Sequence, residues 1–424
     1  SVDISASRLV LGNGGQIKTS TMTAGNAGVA TLAADSILID GANNPQVLTG
    51  IIGSTNSAGD SGKISVSATQ DLSIVRLGQI SASTNGAGRA GNIAVQGGTV
   101  LIDGKLKGDG RTYASNISAE AGPTSSGRTG NLTIDATRSV TLSNGGKLSV
   151  QNYANISPEA AALLNDSAAQ RPHIGVNAPD ITLIDAQISA ASTGNVNAAN
   201  IDIAFSNKLY LDPSAISTSA NSGDGGAIDI RGGRLMVLDN SIVSTSVSGL
   251  VGFNGNPANG GDIHVTADNL LLMTGFIQAN TAASNASGGN VTLAINNLVP
   301  SGNTLYLGGQ TAYGFTPHVF GFNVIQAAAP TGLSGSIRIS SPTLDLAGAL
   351  SGLKARRVDS GGLGRSPCQA AAGSSFVQAG RGGFAPSARE LLGPESASPN
   401  LPGAQLAASK PVALSRLNVE CDQQ

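Results

Sequence analysis

The chain has no tryptophan, and only 13 of its 424 residues are Phe or Tyr. Two or three globular domains of ordinary aromatic content would be usual at this length, so one elongated body of small residues is the better expectation. Charge is scarce as well: Asp, Glu, Lys and Arg make up 12% of the chain, about half the common share. The net charge is −2 and no basic run stands out, which leaves nucleic-acid binding without an electrostatic footprint. No apolar run reaches the roughly 18 residues that a transmembrane helix needs. Ser1-Val-Asp-Ile4 is not a signal peptide and already reads as a strand, so the chain is expected to be a processed product or a piece of a longer one. The three histidines, His173, His264 and His318, fall in separate repeats or excursions, and Cys-x-x-Cys is missing. Zinc, which needs four convergent ligands, is not expected.

What the chain does have is a recurring phrase: Gly-x-aliphatic-x-aliphatic, an alternating aliphatic strand, then a Ser/Thr/Ala-rich strand. One copy reads Gly62-Lys-Ile-Ser-Val66, Leu72-Ser-Ile74 and Ile80-Ser-Ala-Ser83; another reads Gly226-Ala-Ile-Asp-Ile230, Leu235-Met-Val237 and Ile242-Val-Ser-Thr-Ser246. Taken on the middle strand, the repeat is anchored at Leu9, Ile37, Leu72, Val100, Val140, Ile181, Leu209, Leu235, Leu270, Leu305 and Leu344. Alternation puts the aliphatics on one face and Ser, Thr, Asp and His on the other. The predicted fold is all-β: a right-handed parallel β-helix, or β-solenoid, of about eleven rungs, with three strands per rung and an irregular C-terminal tail. At about 4.8 Å per rung it would be on the order of 50 Å long. The glycines opening each rung (Gly62, Gly91, Gly130, Gly226, Gly261, Gly289, Gly335) are expected at turns of positive φ. For the asparagines after some of them (Asn92, Asn131, Asn290) two readings stand, amide stacking between rungs or tolerance of the turn. The boundaries are 1–350 for the β-helix and 351–424 for the tail, where alternation fades and six prolines appear.

Two segments break the rhythm. Ser157-Pro-Glu-Ala-Ala-Ala-Leu-Leu-Asn165 predicts one or two protruding helical turns, with Ser157 as cap and Pro158 at the first helical position. A second segment holds Tyr306, Tyr313, Phe315, Phe320 and Phe322 around His318. Tyr313, Phe315, Phe320 and Phe322 are candidates for binding a glycan or protein partner; the alternative is a loop packed on the body. Phe253, in the loop Gly252–Pro257, is a weaker candidate of the same kind. The outward acids Asp135, Asp202, Asp229 and Asp262 are read as a scattered, solvated row. Asp202 and Asp229 share the same strand position in consecutive rungs, with Asp262 one rung later; the alternative to a solvated row is a cation-binding acidic stripe. No catalytic residue is expected. A polysaccharide-active enzyme is the alternative, because enzymes of that kind gather acids and bases on one face of a β-helix.

Cys368 and Cys421 both lie in the tail. A disulfide between them would close a 52-residue loop, worth about 4 kcal/mol at most; two free thiols remain open. The tail also carries Ser374-Ser375-Phe376-Val377 followed by Gly380-Arg381-Gly382-Gly383, after Arg357-Val-Asp-Ser360. These residues resemble the C-terminal signature of filamentous-haemagglutinin-like exoproteins of bacterial two-partner secretion. The chain departs from the pattern at Phe384-Ala-Pro386, where the family commonly has Leu-Pro-Pro, and the family's N-terminal secretion domain is not in this sequence. The resemblance implies export through an outer-membrane β-barrel transporter and a place outside the cell or on its outer membrane. It also implies an adhesin or structural role toward a glycan or protein receptor, without cofactors. The cysteine-bounded tail would then serve either as a plug held in the transporter or as a simple stabilising disulfide.

Overall fold

A computed structural model describes residues 1–108, 110–165, 171–250, 258–319 and 321–340; all of them fall in the unit Ser1–Ala349. The tail with Cys368, Cys421, the Ser374–Gly383 motif and the short strand expected at 375–378 lies outside the described residues, as do Phe253, Phe320 and Leu344.

The unit is a parallel β-solenoid of eleven coils. Each coil opens with a long strand: Val2–Gly12, Ala30–Asp40, Ile64–Val75, Ile93–Asp103, Leu132–Ser143, His173–Ile184, Asn200–Asp212, the pair Ile228–Gly232 and Leu235–Asp239, Ile263–Met273, Val291–Pro300 and Ile337–Ile339. A turn then leads to a short strand on a second sheet, such as Lys147–Ser149, Gln187–Ser189, Ala215–Ser217, Ile242–Ser244, Phe276–Gln278 and Asn323–Gln326. The third side is closed by single-residue parallel bridges, Thr21 to Thr55 to Thr84 to Ala121 and on to Thr281. The three strands expected per coil are therefore two. The first and second run on as one long strand, with a register slip where they join, between Ala34 and Ser36 or Ala68 and Asp71.

The inward columns follow the alternation. Ile64 and Val66, Leu132 and Ile134, and Ile263 and Val265 are all buried, while His264 between the last two is exposed. Leu9, Ile37, Leu72, Val100, Val140, Ile181 and Leu209 do form one register column. In the next coil the column passes through Met236, because Leu235 pairs with Lys208, and two coils later through Leu298. Leu305 belongs instead to a strand, Leu305–Leu307, that pairs along Asn323–Gln326 at the end of the short-strand sheet. Both departures have one cause: several aliphatics crowd these segments, and only the inter-coil hydrogen bonds choose among them.

The coil-opening glycines do not have positive φ. They are glycine because the coils stack too closely there for a Cβ. An atom added to Gly62 would fall within 3.0 Å of the Gly28 carbonyl oxygen, and likewise Gly91 on Gly62, Gly130 on Gly91, Gly261 on Gly226, Gly289 on Gly261 and Gly335 on Gly289. Positive φ occurs at the turn between long and short strands, at Asn13-Gly14, Asn144-Gly145, Asp185, Asn240 and Thr274. Asn and Gly tolerate this region best.

The asparagines after the glycines bond backbone rather than stacking amides. Asn92 Oδ1 accepts the N–H of Asn131 (2.9 Å), Asn131 Oδ1 that of His173 (3.1 Å), and Asn290 Oδ1 that of Ser336 (3.2 Å). A second ladder of this kind had no counterpart in the sequence reading. Asn26 Oδ1 accepts from Asp60 N–H, and Asp60 Oδ1 from Arg89 N–H. Further along, Asn165, Asn197, Asp224 and Asn259 accept from Asn197, Asp224, Asn259 and Ser287 respectively, each at 2.8–2.9 Å. Side-chain carboxyl and amide oxygens thus satisfy corner N–H groups that the sheets do not reach.

Ile228 is 1% exposed in the core column. Ile228→Asp places an unpaired carboxylate among aliphatics, at a cost of several kcal/mol. Urea unfolding followed by circular dichroism should show a large loss of stability, and an unchanged midpoint would refute the assigned facing.

Candidate functional site

Two insertions rise over the short-strand sheet from different coils. The fourth coil carries an antiparallel hairpin, Lys105–Gly108 with Arg111–Ala114, between its long strand and the short strand Asn116–Ser118. The tenth carries the segment 301–322 before Asn323–Gln326. Between them lies a groove of about 760 Å³, lined by Lys105, Lys107, Thr112 and Ala114 from the hairpin and by Phe315 and Pro317 from the later insertion.

Its floor is one register column of the short strands: Lys147, Gln187, Ala215, Ile242. Four coils at about 4.8 Å make it roughly 19 Å long. The column runs from cationic through polar to apolar, and Phe276 continues it under the aromatic insertion. The neighbouring outward column is serine in six successive coils, Ser81, Ser118, Ser149, Ser189, Ser217 and Ser244.

The aromatic insertion is seated on the solenoid. Phe276, fully buried, packs against Phe315 (centroids 5.0 Å) and Phe322 (5.8 Å), and Phe322 meets Tyr306 edge-on at 5.0 Å and Tyr313 at 5.7 Å. Two buried glutamines hold its backbone. Gln278 Nε2 donates to Tyr313 O (2.7 Å); Gln326 Nε2 donates to Thr311 O (2.7 Å), and Gln326 Oε1 accepts Tyr313 N–H (3.1 Å). Of the four aromatic candidates, Phe322 and Phe315 are therefore partly buried packing residues. Tyr313 remains exposed, and only Phe315 of the described three lines the groove. The sequence reading missed Phe276, the hairpin wall and the groove itself. The available signals were the 40-residue spacing from Val100 to Val140 and a Phe at a short-strand position that no earlier coil fills with an aromatic residue.

At the cationic end, Lys105 is ion-paired with Asp185, and Lys147 reaches Glu120 (3.6 Å) and Gln151 Oε1 (2.6 Å). The Tyr153 hydroxyl donates to the same Gln151 oxygen (2.6 Å). Burial, reinforced by the Glu120 carboxylate, pushes the Tyr153 phenol up to about 12. Beside the groove, Asp212 and Asp239 face each other from adjacent coils; burial and then the Asp212 charge raise Asp239 above the usual carboxylate range. This pair is not part of the groove lining.

Asp202 and Asp229 share one register position in consecutive coils, as expected, but the stripe does not continue to Asp262, because Asp229 pairs with His264 in the next coil. Asp262 sits just ahead of its strand and accepts Asn290 N–H (2.7 Å), while Asp229 is ion-paired with Arg231. Among the described residues, no three of His, Cys, Asp or Glu come together as a metal site, and no helix is long and apolar enough to span a membrane. The expected helix is present as Pro158–Asn165, with Ser157 Oγ accepting Ala160 N–H (3.4 Å). It is less protruding than expected, since Ala161 is fully buried.

The molecule is a β-solenoid with a groove on its short-strand face. No family model, curated protein or solved structure matches the chain.

Because Tyr153 is raised in the folded state, its contribution is complete below the unfolded phenol value near 10 and is lost as pH rises toward about 12. A difference titration at 295 nm between the native chain and Tyr153→Phe should place its midpoint near 12. A midpoint near 10 would contradict the burial.

Proposed function

We propose that this chain is a piece of a secreted or cell-surface β-helical rod that acts by binding, as an adhesin or surface-structural protein. The observation that carries this reading is the groove on the short-strand face. Two insertions from coils far apart in sequence wall the same four-coil floor, which grades from lysine to isoleucine. That combination suits a partner with one charged and one apolar part, held by surface complementarity. Lys105 and Lys147 are tied up in ion pairs, Lys107 makes none among the described residues, and the acid pair Asp212/Asp239 lies outside the lining. A polysaccharide-cleaving reading would have to rest on that pair, so binding is the reading proposed.

The resemblance of the tail motif Ser374–Gly383 to filamentous-haemagglutinin-like exoproteins supports export by a two-partner route through an outer-membrane β-barrel. A solenoid that grows coil by coil suits a chain that must pass the pore unfolded and fold beyond it. Cys368 and Cys421 would anchor the chain there or stabilise its end.

The test uses the purified chain on beads against a mixed glycan array and against mammalian and bacterial cell surfaces. The wild type should be retained on at least one surface, and Lys107→Ala with Phe315→Ala should weaken that retention about tenfold, the loss of one buried aromatic anchor and one cation. Absence of retention on every surface, or retention equal in the variant, contradicts the proposal.

A further inference from the structure

The side-chain ladder ahead of the long strands changes character in the fourth and fifth coils, where the Asn/Asp positions are taken by Arg89 and Arg128. Backbone bonds fix the column: Ser61 N–H donates to Arg89 O and Ala90 N–H to Arg128 O, both at 2.8 Å. Adjacent columns add Lys63, Arg171 and His173, and together these residues line a polar groove of about 580 Å³ along the third to sixth coils. Four fixed positive charges face one carboxylate, Asp60, and Asp60 Oδ1 already accepts Arg89 N–H. The residues are 26 to 43 positions apart in sequence, so no basic run announces them. Coil stacking alone gathers them, on a chain whose net charge is −2.

Two of the cations are anchored and two are available. The Arg128 guanidinium donates to Leu163 O (3.2 Å), and that of Arg171 to Gly225 O (3.2 Å), with Asp224 at 3.8 Å. The Arg171 Nε–H is buried with no acceptor. Lys63 and Arg89 are exposed and, among the described residues, make no side-chain hydrogen bond or ion pair. Guanidinium groups bind carboxylates and sulfates through paired N–H donors, and anchoring some of them in advance lowers the ordering cost of binding.

We propose that this groove is a binding site for a linear anionic polysaccharide lying along the solenoid axis. Each of the third to sixth coils contributes one cation to the groove, with Arg89 and Arg128 in one register column, and the coil rise of about 4.8 Å is close to the advance of one sugar ring in an extended chain, so a chain lying along the axis meets a cation from each coil it crosses. The Asn92 and Asn131 side chains in the lining suit sugar hydroxyls. The groove contains no Phe, Tyr or Trp, so it offers no stacking platform for unpaired nucleobases. This site lies apart from the lysine-to-isoleucine groove and stands whether or not that groove binds a receptor.

The experiment measures binding of the whole chain at low salt to polygalacturonate (carboxylates only), dextran sulfate (sulfates only), neutral dextran and duplex DNA. Binding is expected to at least one charged polysaccharide and not to neutral dextran, and the tighter of the two identifies the preferred anion. Lys63→Gln with Arg89→Gln should weaken it about tenfold, the effect of removing charge-assisted hydrogen bonds. Arg89→Lys alone should keep most of it, and Lys18→Gln, an exposed lysine in neither groove, should leave it unchanged. Both altered residues are exposed, so the far-ultraviolet circular dichroism should not move. Failure to bind either charged polysaccharide, binding undiminished in the double variant, or tighter binding of duplex DNA would overturn the proposal.

Discussion

At the corner that opens most coils, a glycine of one coil rests on the carbonyl oxygen of the coil before it, with no room for a side chain. Everything else in the solenoid is arranged around that approach. It fixes the rise from coil to coil at the spacing of parallel strands. It aligns the aliphatic columns and leaves corner N–H groups that the two sheets cannot pair. The Asn and Asp side chains beside the glycines take up those groups. Pro172 and Ala199 take this position in the sixth and seventh coils and carry a Cβ there, and Gly226, stacked on Ala199, again lies against a carbonyl.

Because the stacking is local and repeated, function is left to what departs from it. The long insertions are confined to the turns; within the long strands only one-residue bulges occur, and the columns resume in register beyond them. The hairpin and the aromatic insertion occupy the same turn in different coils, so both rise over the short-strand face and together make a groove. Substitutions within the ladder do the same on another face, where Arg89 and Arg128 stand in Asn/Asp positions and their charges are brought together by the coil rise. Neither face needs a mobile element; the scaffold pre-places its groups at intervals it sets itself.

Period and facing could be read from residues because they depend on alternation within a strand. Ile64-Ser-Val66 or Ile263-His-Val265 reports its own burial. The helix at Pro158–Asn165 was legible for the same reason, since cap and helix formers are contiguous. Choosing Met236 over Leu235 depends on pairing with a coil 27 residues earlier, and placing Leu305 on the other sheet depends on its pairing with Asn323, 18 residues on; adjacent aliphatics give no local sign of either. The glycines were assigned a turn conformation because that is the commonest reason for glycine; close approach of another coil is a tertiary fact. The grooves were illegible in the same sense, since their walls and charges come from coils that only stacking makes neighbours. Two of the four aromatic candidates, Phe315 and Phe322, are packing residues, and no local sign of it stood in the sequence because their partner Phe276 lies 39 and 46 residues earlier.

The corner constraint is most directly tested by comparing two glycine-to-alanine substitutions under urea. Gly261 lies on the Gly226 carbonyl, whereas nothing stands within 4 Å of a Cβ at Gly108. Gly261→Ala should lower stability by about 2 kcal/mol or more, as forced backbone displacement does, while Gly108→Ala should change it by no more than about 0.5 kcal/mol. Equal, small effects at both sites would contradict the claim that coil-to-coil approach at these glycines sets the architecture.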